Sequence, residues 1–220
     1  MRLGLLHSPF LTAASWGRLP AALEGRGHEV VVVSVVEDDV PPYVSAYAHS
    51  AARQLVGPPV LLVAHSGAGP LLPVVAARRE HGGVTGAVLL DATLPGVAGE
   101  SRLALLRRLD AALATRVARQ LYAGGRAPEW PEADIATLRR AGVTLRPRGL
   151  DFFTAPIPVP TTGWTELRWG YLRTSAGYDA AAADAEGRGR PVLRSERGHL
   201  AALGDPRGVS DDVLALAGRL

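Results

Sequence analysis

Residues 59–69 read Pro-Val-Leu-Leu-Val-Ala-His-Ser-Gly-Ala-Gly, and no other stretch narrows the folding options as far. An uninterrupted apolar run meets a small-x-Ser-x-small turn, and a helix-forming segment leaves it. Such a turn is so tight that its central residue, Ser66, takes a strained backbone conformation. The residues two before and two after must be small; here they are Ala64 and Ala68, where glycine is commoner. The turn lifts the Ser66 hydroxyl above the strand end. It also points the Gly67 N–H at the place where an oxyanion would form. The alternative is a serine in an ordinary strand-to-helix loop, and the rest of the chain must decide between them.

Strand and helix patterns alternate from the first residue. Leu3–His7 is a short apolar run, and Trp16–Arg26 reads as a helix stopped by Gly25 and Gly27. Glu29–Val36 is a continuous β-branched run, the pattern of a strand covered on both faces. Further helices are predicted over Val44–Val56 and Gly69–Glu80, and strands over Pro59–Ala64 and Gly86–Leu90. This rhythm implies a mostly parallel sheet of about six strands with right-handed crossovers and helices on both faces. It breaks at residues 97–165. That segment holds a long Arg- and Leu-rich helix at about 101–122, a shorter one at about 131–142, and an irregular stretch rich in Pro and aromatics, Leu150–Trp164. The rhythm resumes at Trp169–Arg173, with a helix near 178–187, a strand at Pro191–Arg194 and a last helix at 208–220. The expectation is one α/β domain over 1–220, with 97–165 inserted as a helical lid.

Composition excludes more than it selects. The 220 residues suffice for one sizeable core, and 47% are apolar. No run of about 18 apolar residues offers a membrane span. The opening Met1–Leu6 is too short for a signal peptide and reads as a strand, so a cytoplasmic protein is expected. There is no cysteine, which excludes disulfides, zinc–thiolate sites and a cysteine nucleophile. All basic residues are arginine, the net charge is only +3, and the arginines are scattered among acids. That argues against a nucleic-acid surface.

A serine hydroxyl needs a base. His199 follows the last predicted strand, in Ser195-Glu196-Arg197-Gly198-His199-Leu200. Strand carboxyl ends gather along one edge of a parallel sheet, so this loop can reach Ser66. His28 precedes a strand and lies at the wrong edge, His49 and His81 read as helix-face and loop residues, and the His65 side chain should point away from Ser66. For the acid that orients the imidazole, two residues compete. Asp91 ends the strand Gly86–Leu90; Asp179 lies several residues past Trp169–Arg173 and suits a helix N-cap equally well. Asp91 is preferred, because a carboxylate at the end of an apolar strand needs a partner. A second oxyanion donor should come from the loop His7-Ser8-Pro9-Phe10-Leu11-Thr12. Pro9 has no N–H, which leaves Phe10, with Leu11 behind it. His7, Phe152, Phe153 and Trp164 are candidates for the substrate pocket, with Trp169 beside them; the alternative is that the aromatics pack the lid onto the sheet.

His7-Ser8-Pro9-Phe10, Trp16, Leu23 and Gly27-His28-Glu29-Val30 together resemble the opening of small α/β-hydrolases of the plant methylesterase and hydroxynitrile lyase type. Those open with His-Gly, a Trp on the first helix, and Gly-His-x-Val. The elbow and the ending from Gly198-His199-Leu200 to Asp205-Pro206 match as well. The pattern is also similar to hydrolase-like proteins of actinobacterial biosynthetic clusters. The resemblance covers nearly the whole core but not the lid. It implies an α/β-hydrolase fold, with nucleophile, base and elbow N–H on Ser66, His199 and Gly67. The chain departs from the pattern at Ser8, where the family has glycine, and at Pro9. The family's usual acid position falls near Gly177, a second reason to prefer Asp91, which matches the acid position of some lipases.

These readings lead to an expected serine hydrolase acting on an ester, thioester or lactone of an apolar small molecule, in biosynthesis. It would need no cofactor and no metal. The stiff, apolar segment 150–164 suits a preformed wall that disfavours charged substrates. The alternative is a lyase on the same scaffold, using the Ser–His pair without an acyl-enzyme.

Overall fold

The computed structural model describes residues 1–79, 83–160 and 166–220. Its strands are β1 (Arg2–Leu6), β2 (Glu29–Val33), β3 (Val60–His65), β4 (Val84–Leu90), β5 (Trp169–Arg173) and β6 (Val192–Arg194). They form an all-parallel sheet in the order β2-β1-β3-β4-β5-β6. Around it lie α1 (Leu19–Glu24), α2 (Tyr43–Gln54), α3 (Leu72–Ala77), α8 (Asp179–Gly187), α9 (Ala201–Gly204) and α10 (Pro206–Ala217). Between β4 and β5 come α4 (Arg102–Leu109), α5 (Ala111–Tyr122), α6 (Glu132–Arg140) and α7 (Leu150–Thr154).

Strand side chains alternate between the two faces, and both faces are covered. Leu61 and Val63 of β3 pack with Leu3, Leu5 and Val88 against Trp16, Leu19, Val213 and Leu216. Leu62 and Ala64 point the other way, with Leu89 and Tyr171, toward Tyr47, Leu72 and Ala182. With both faces covered, every residue of β3 and of β5 is buried, and their interiors are almost wholly apolar.

Three readings from the sequence are corrected here. β2 is an edge strand and mostly half-buried, so its β-branched run does not mean cover on both faces. The helix expected over 101–122 is two helices. Asp110 leaves helical geometry at φ −152°, ψ 102°, and its carboxylate caps α5 by accepting the Leu113 N–H at 2.8 Å. A local hydrogen bond competes with helix continuation, and Asp favours the cap. The irregular stretch from 150 begins with a short helix, α7, which buries Phe152 and Phe153.

The 97–165 excursion leaves and returns through one neck. Gly99 N–H bonds the Ile157 carbonyl at 2.9 Å, and Ile157 N–H bonds the Glu100 carbonyl at 3.1 Å. Farther along, Arg148 is buried and ties the excursion to the loop after β1. Its guanidinium donates to the Pro9 carbonyl at 2.8 and 3.1 Å and to the Asp38 carboxylate at 3.0 Å. Arg146 shares the same carboxylate at 2.7 Å, and its own N–H holds the Phe10 carbonyl at 2.8 Å. We expect Arg148→Met to cost about 3 kcal/mol in urea unfolding, because it removes one of the two cations that hold the buried Asp38 carboxylate and leaves the Pro9 carbonyl without its guanidinium donors. A change under about 0.5 kcal/mol, the range of an ordinary surface substitution, would contradict the anchoring role.

Candidate active site

The sheet reverses its winding between β1 and β3, and the loops after these strands diverge there. At the end of β3 the chain turns at once into a 3₁₀ segment, Ser66–Leu71. Ser66 sits at φ +57°, in the left-handed region that a serine occupies only when its surroundings impose it. Ala64 and Ala68 on either side are fully buried, which explains the need for small side chains. A Cβ on Gly69 would collide with the Thr93 carbonyl, and one on Gly67 would lie 2.9 Å from the Phe10 ring and 3.0 Å from the Ser8 hydroxyl. The Thr93 N–H in turn holds the Ser66 carbonyl at 3.3 Å.

His199 arrives from the loop after β6. Gly198, at φ +85°, makes the turn before it, and its N–H bonds the Thr174 carbonyl at 2.8 Å. His199 Nε2 lies 3.2 Å from Ser66 Oγ, and His199 Nδ1 lies 3.3 Å from Asp91 Oδ2. Asp91 ends β4, is fully buried and also has a positive φ, +40°. Its other oxygen accepts the N–H of Thr174 at 2.6 Å and of Ser175 at 3.2 Å, and Oδ2 accepts the Ser175 hydroxyl at 2.5 Å. Burial pushes the Asp91 carboxyl up, but the hydrogen bonds from His199, Ser175 and Thr174 outweigh it and hold it below the usual carboxylate value. Asp179 does not meet His199. It is exposed, and is engaged at 2.6 Å by Nε of Arg173, the buried last residue of β5.

The Gly67 N–H stands at the start of the 3₁₀ turn, where backbone donors lack helical partners, and Gly67 lines the cavity. Phe10 also lines the cavity, with its N–H 3.4 Å from the Ser8 hydroxyl. The Leu11 N–H is spent on the Ser8 carbonyl at 3.0 Å.

The cavity above Ser66 and His199 has a volume of about 780 Å³. Apolar side chains from α4 and α5, including Leu105, Leu106 and Val117, face Phe153, Trp130 and Tyr178 across it. Phe153 is therefore placed as the sequence suggested. His7, Phe152 and Trp169 are not. His7 is buried under the β1 loop, donating from Nδ1 to the Ser8 carbonyl at 2.8 Å and accepting the Val35 N–H at Nε2 at 3.1 Å; it staples β1 to the chain beyond β2. Phe152 lies behind the wall, edge-on to Tyr43 and Phe10. Trp169 is a core residue of β5 with the Arg190 guanidinium over its ring. Trp164 and His81 lie outside the described residues.

Sequence reading missed the side chains that seat His199. Tyr178 stacks on its ring at a centroid distance of 5.0 Å and an interplanar angle of 10°. From the other side comes His65, 4.7 Å away, whose Nε2–H donates to the His199 carbonyl at 3.0 Å. The histidine beside Ser66 is visible in the sequence, but the loop after β6 that receives its bond is not. Burial pushes the His65 imidazole down to about 3, and burial also lowers His7. Both are neutral when folded, as their bonds require. The unfolded chain takes up protons below its ordinary pKa of about 6.5, so this stability is full above that pH and is lost as pH falls toward the folded values. We expect His65 alone to account for a loss of about 2 kcal/mol between pH 7 and pH 5. Urea unfolding at each pH should show a shallower decline for His65→Gln.

No protein-family model matches this sequence, and no curated protein sequence matches it either. Structural likeness is extensive. An extracellular α/β-hydrolase from a Paenibacillus species, described as homologous to tobacco salicylic acid binding protein 2, superposes with a TM-score of 0.77 at 14% identity, over 98% of each chain. Polyneuridine aldehyde esterase gives 0.72 at 17% identity, over 98% of each chain. Tomato methylketone synthase I, in a complex with β-ketoheptanoate, gives 0.71 at 15% identity, over 99% of this chain and 98% of that one. The chain has the α/β-hydrolase fold.

Proposed function

We propose that this protein is a serine hydrolase that cleaves an ester, thioester or lactone of a small molecule with an apolar body. The observation that carries the reading is the continuous contact Ser66 Oγ–His199 Nε2, His199 Nδ1–Asp91, displayed on a strained turn under a largely apolar cavity. In this mechanism His199 takes the Ser66 proton as Oγ attacks the carbonyl carbon. Asp91 keeps the imidazole in the tautomer with hydrogen on Nδ1 and stabilises the imidazolium that forms. The Gly67 N–H, joined by that of Phe10 once it releases Ser8, binds the oxyanion. The proton passes from Nε2 to the leaving oxygen or sulfur, and water repeats the cycle on the acyl-enzyme. The α4–α7 segment acts as the lid. A hydrolase and an esterase among the structural neighbours support the same class. We assign the activity to small-molecule biosynthesis on the sequence resemblance; among the described residues no helix is long and apolar enough to cross a membrane.

One observation favours a second reading. The Phe10 N–H is turned to Ser8 rather than left free, which leaves one ready oxyanion donor and suits elimination next to a carbonyl, with Ser66 and His199 handling a proton only. A fluorophosphonate probe, followed by mass mapping, tests the hydrolase. Covalent label on Ser66 is expected, lost in Ser66→Ala and His199→Ala. Each of these variants should lower kcat/KM by about 10³-fold or more, and the double variant should be little worse than either, because the residues act as one unit. Near-normal turnover in Ser66→Ala together with loss in His199→Ala would instead overturn the serine hydrolase. The wall separates by position. Phe153→Ala should raise KM several-fold with little change in kcat, since such contacts bind ground and transition states alike. Phe152→Ala should lower stability by about 3 kcal/mol, measured by urea unfolding, because its ring is buried behind the wall.

A further inference from the structure

Three arginines among the described residues are buried, Arg102, Arg148 and Arg173. Two hold carboxylates: Arg148 pairs with Asp38 and Asp39, and Arg173 with Asp179 and Glu196. Arg102 is only 7% exposed, lines the cavity, and has no carboxylate within ion-pair distance among the described residues. One of its N–H groups donates to the Gly67 carbonyl at 2.9 Å, and its plane lies over the Phe152 ring, 4.6 Å from the centroid. The remaining N–H groups find no acceptor in the described protein. Arg102 is also the first residue of α4, whose first turn carries no acid. A largely buried cation at the positive end of a helix, with no carboxylate in ion-pair contact, is costly. Burial accordingly lowers its pKa to about 10. Such a group is retained where something else supplies the negative charge. Two more arginines, Arg116 and Arg119, stand exposed on α5 at the cavity lining, and neither is ion-paired among the described residues. They favour the approach of an anion.

We propose that Arg102 is the carboxylate-recognition residue of this pocket, and that the substrate carries a carboxylate beside its apolar body. The guanidinium fork matches a carboxylate in plane and spacing. Its bond to the Gly67 carbonyl puts that carboxylate next to the elbow. A half-ester of a dicarboxylic acid, or a lactone bearing a carboxylate, has this shape. The sequence suggested a pocket that disfavours charge; the buried cation reverses that expectation for anions. The inference rests on the proposed site only in taking the cavity as the substrate pocket.

The test reads binding apart from turnover. Isothermal titration calorimetry would compare 4-phenylbutyrate and octanoate with their primary amides, on the wild-type chain and on Ser66→Ala. We expect each carboxylate to bind about ten-fold tighter than its amide, and the preference to shrink with added salt. Arg102→Met should bring the ratio of the two affinities toward one, and Arg102→Lys should restore part of it. Equal affinities on the wild-type chain would overturn the proposal, and so would a ratio that survives in Arg102→Met. The wild-type comparison stands even where a variant fails to fold. In parallel, kcat/KM for 4-nitrophenyl hemiglutarate against 4-nitrophenyl pentanoate should favour the anionic ester. If neither ester is cleaved while the carboxylate preference holds, the hydrolase reading fails and the anion site stands. Should both be cleaved with no preference in either assay, the anion site fails and the hydrolase stands.

Discussion

A single buried carboxylate ties the site together. Asp91 has no access to water, so each of its lone pairs must find a donor inside the protein. The donors come from Thr174 and Ser175, just past β5, and from His199, just past β6, while Asp91 itself ends β4. Three strand ends are therefore bound through one side chain. The positive φ at Asp91 is the local cost of turning that side chain into the sheet edge. Remove the charge and the imidazole loses the partner that selects its tautomer, and two backbone N–H groups lose their acceptor.

Ser66 is held by a different device. Its strain persists because every neighbour forbids relaxation: Ala64 and Ala68 fill their spaces completely, Gly67 is roofed by Phe10 and Ser8, and Gly69 touches the Thr93 carbonyl. Between these two fixed points lies the His199 imidazole, in contact with both. His65, Tyr178 and Trp130 pack around its ring, and the bond from His65 reaches its backbone carbonyl. The positions of His199, Ser66 and Asp91 are thus set by backbone geometry and ring packing, more than by the two long contacts between them.

The excursion between β4 and β5 contributes a second kind of order. Arg146 and Arg148 reach back to the loop after β1 and grip the carbonyls of Pro9 and Phe10 near the elbow, either directly or through the main chain. They do so against Asp38, a carboxylate buried with them. Arg102, from the same excursion, holds the elbow at Gly67 but brings no acid of its own. The segment between β4 and β5 is consequently tied to the chain around Ser66 as well as lining the cavity, and of its two buried arginines Arg148 is neutralised while Arg102 is left open to the cavity.

The elbow, the alternation of strands and helices, and the placing of Ser66, His199 and Asp91 along one sheet edge were legible in the chain itself. They follow from short-range rules: small residues around a tight turn, two-sided burial of an apolar run, and the gathering of parallel strands at their carboxyl ends. The position of β2 at the sheet edge was not legible, because a β-branched run looks the same in an edge strand as in a central one. Nor did the sequence distinguish Phe153 from Phe152, since adjacent helical residues differ by about 100° in direction and only the neighbours decide which ring meets the cavity. Between Asp91 and Asp179 the sequence left a choice open; in the structure Asp91 lies against the His199 ring while Arg173 holds Asp179. Arg102 is the sharpest case. In the sequence it is one arginine among many in an Arg- and Leu-rich helix; only the tertiary structure buries it beside Gly67 without a counter-ion, because burial and pairing are properties of what surrounds a residue and not of the residue itself.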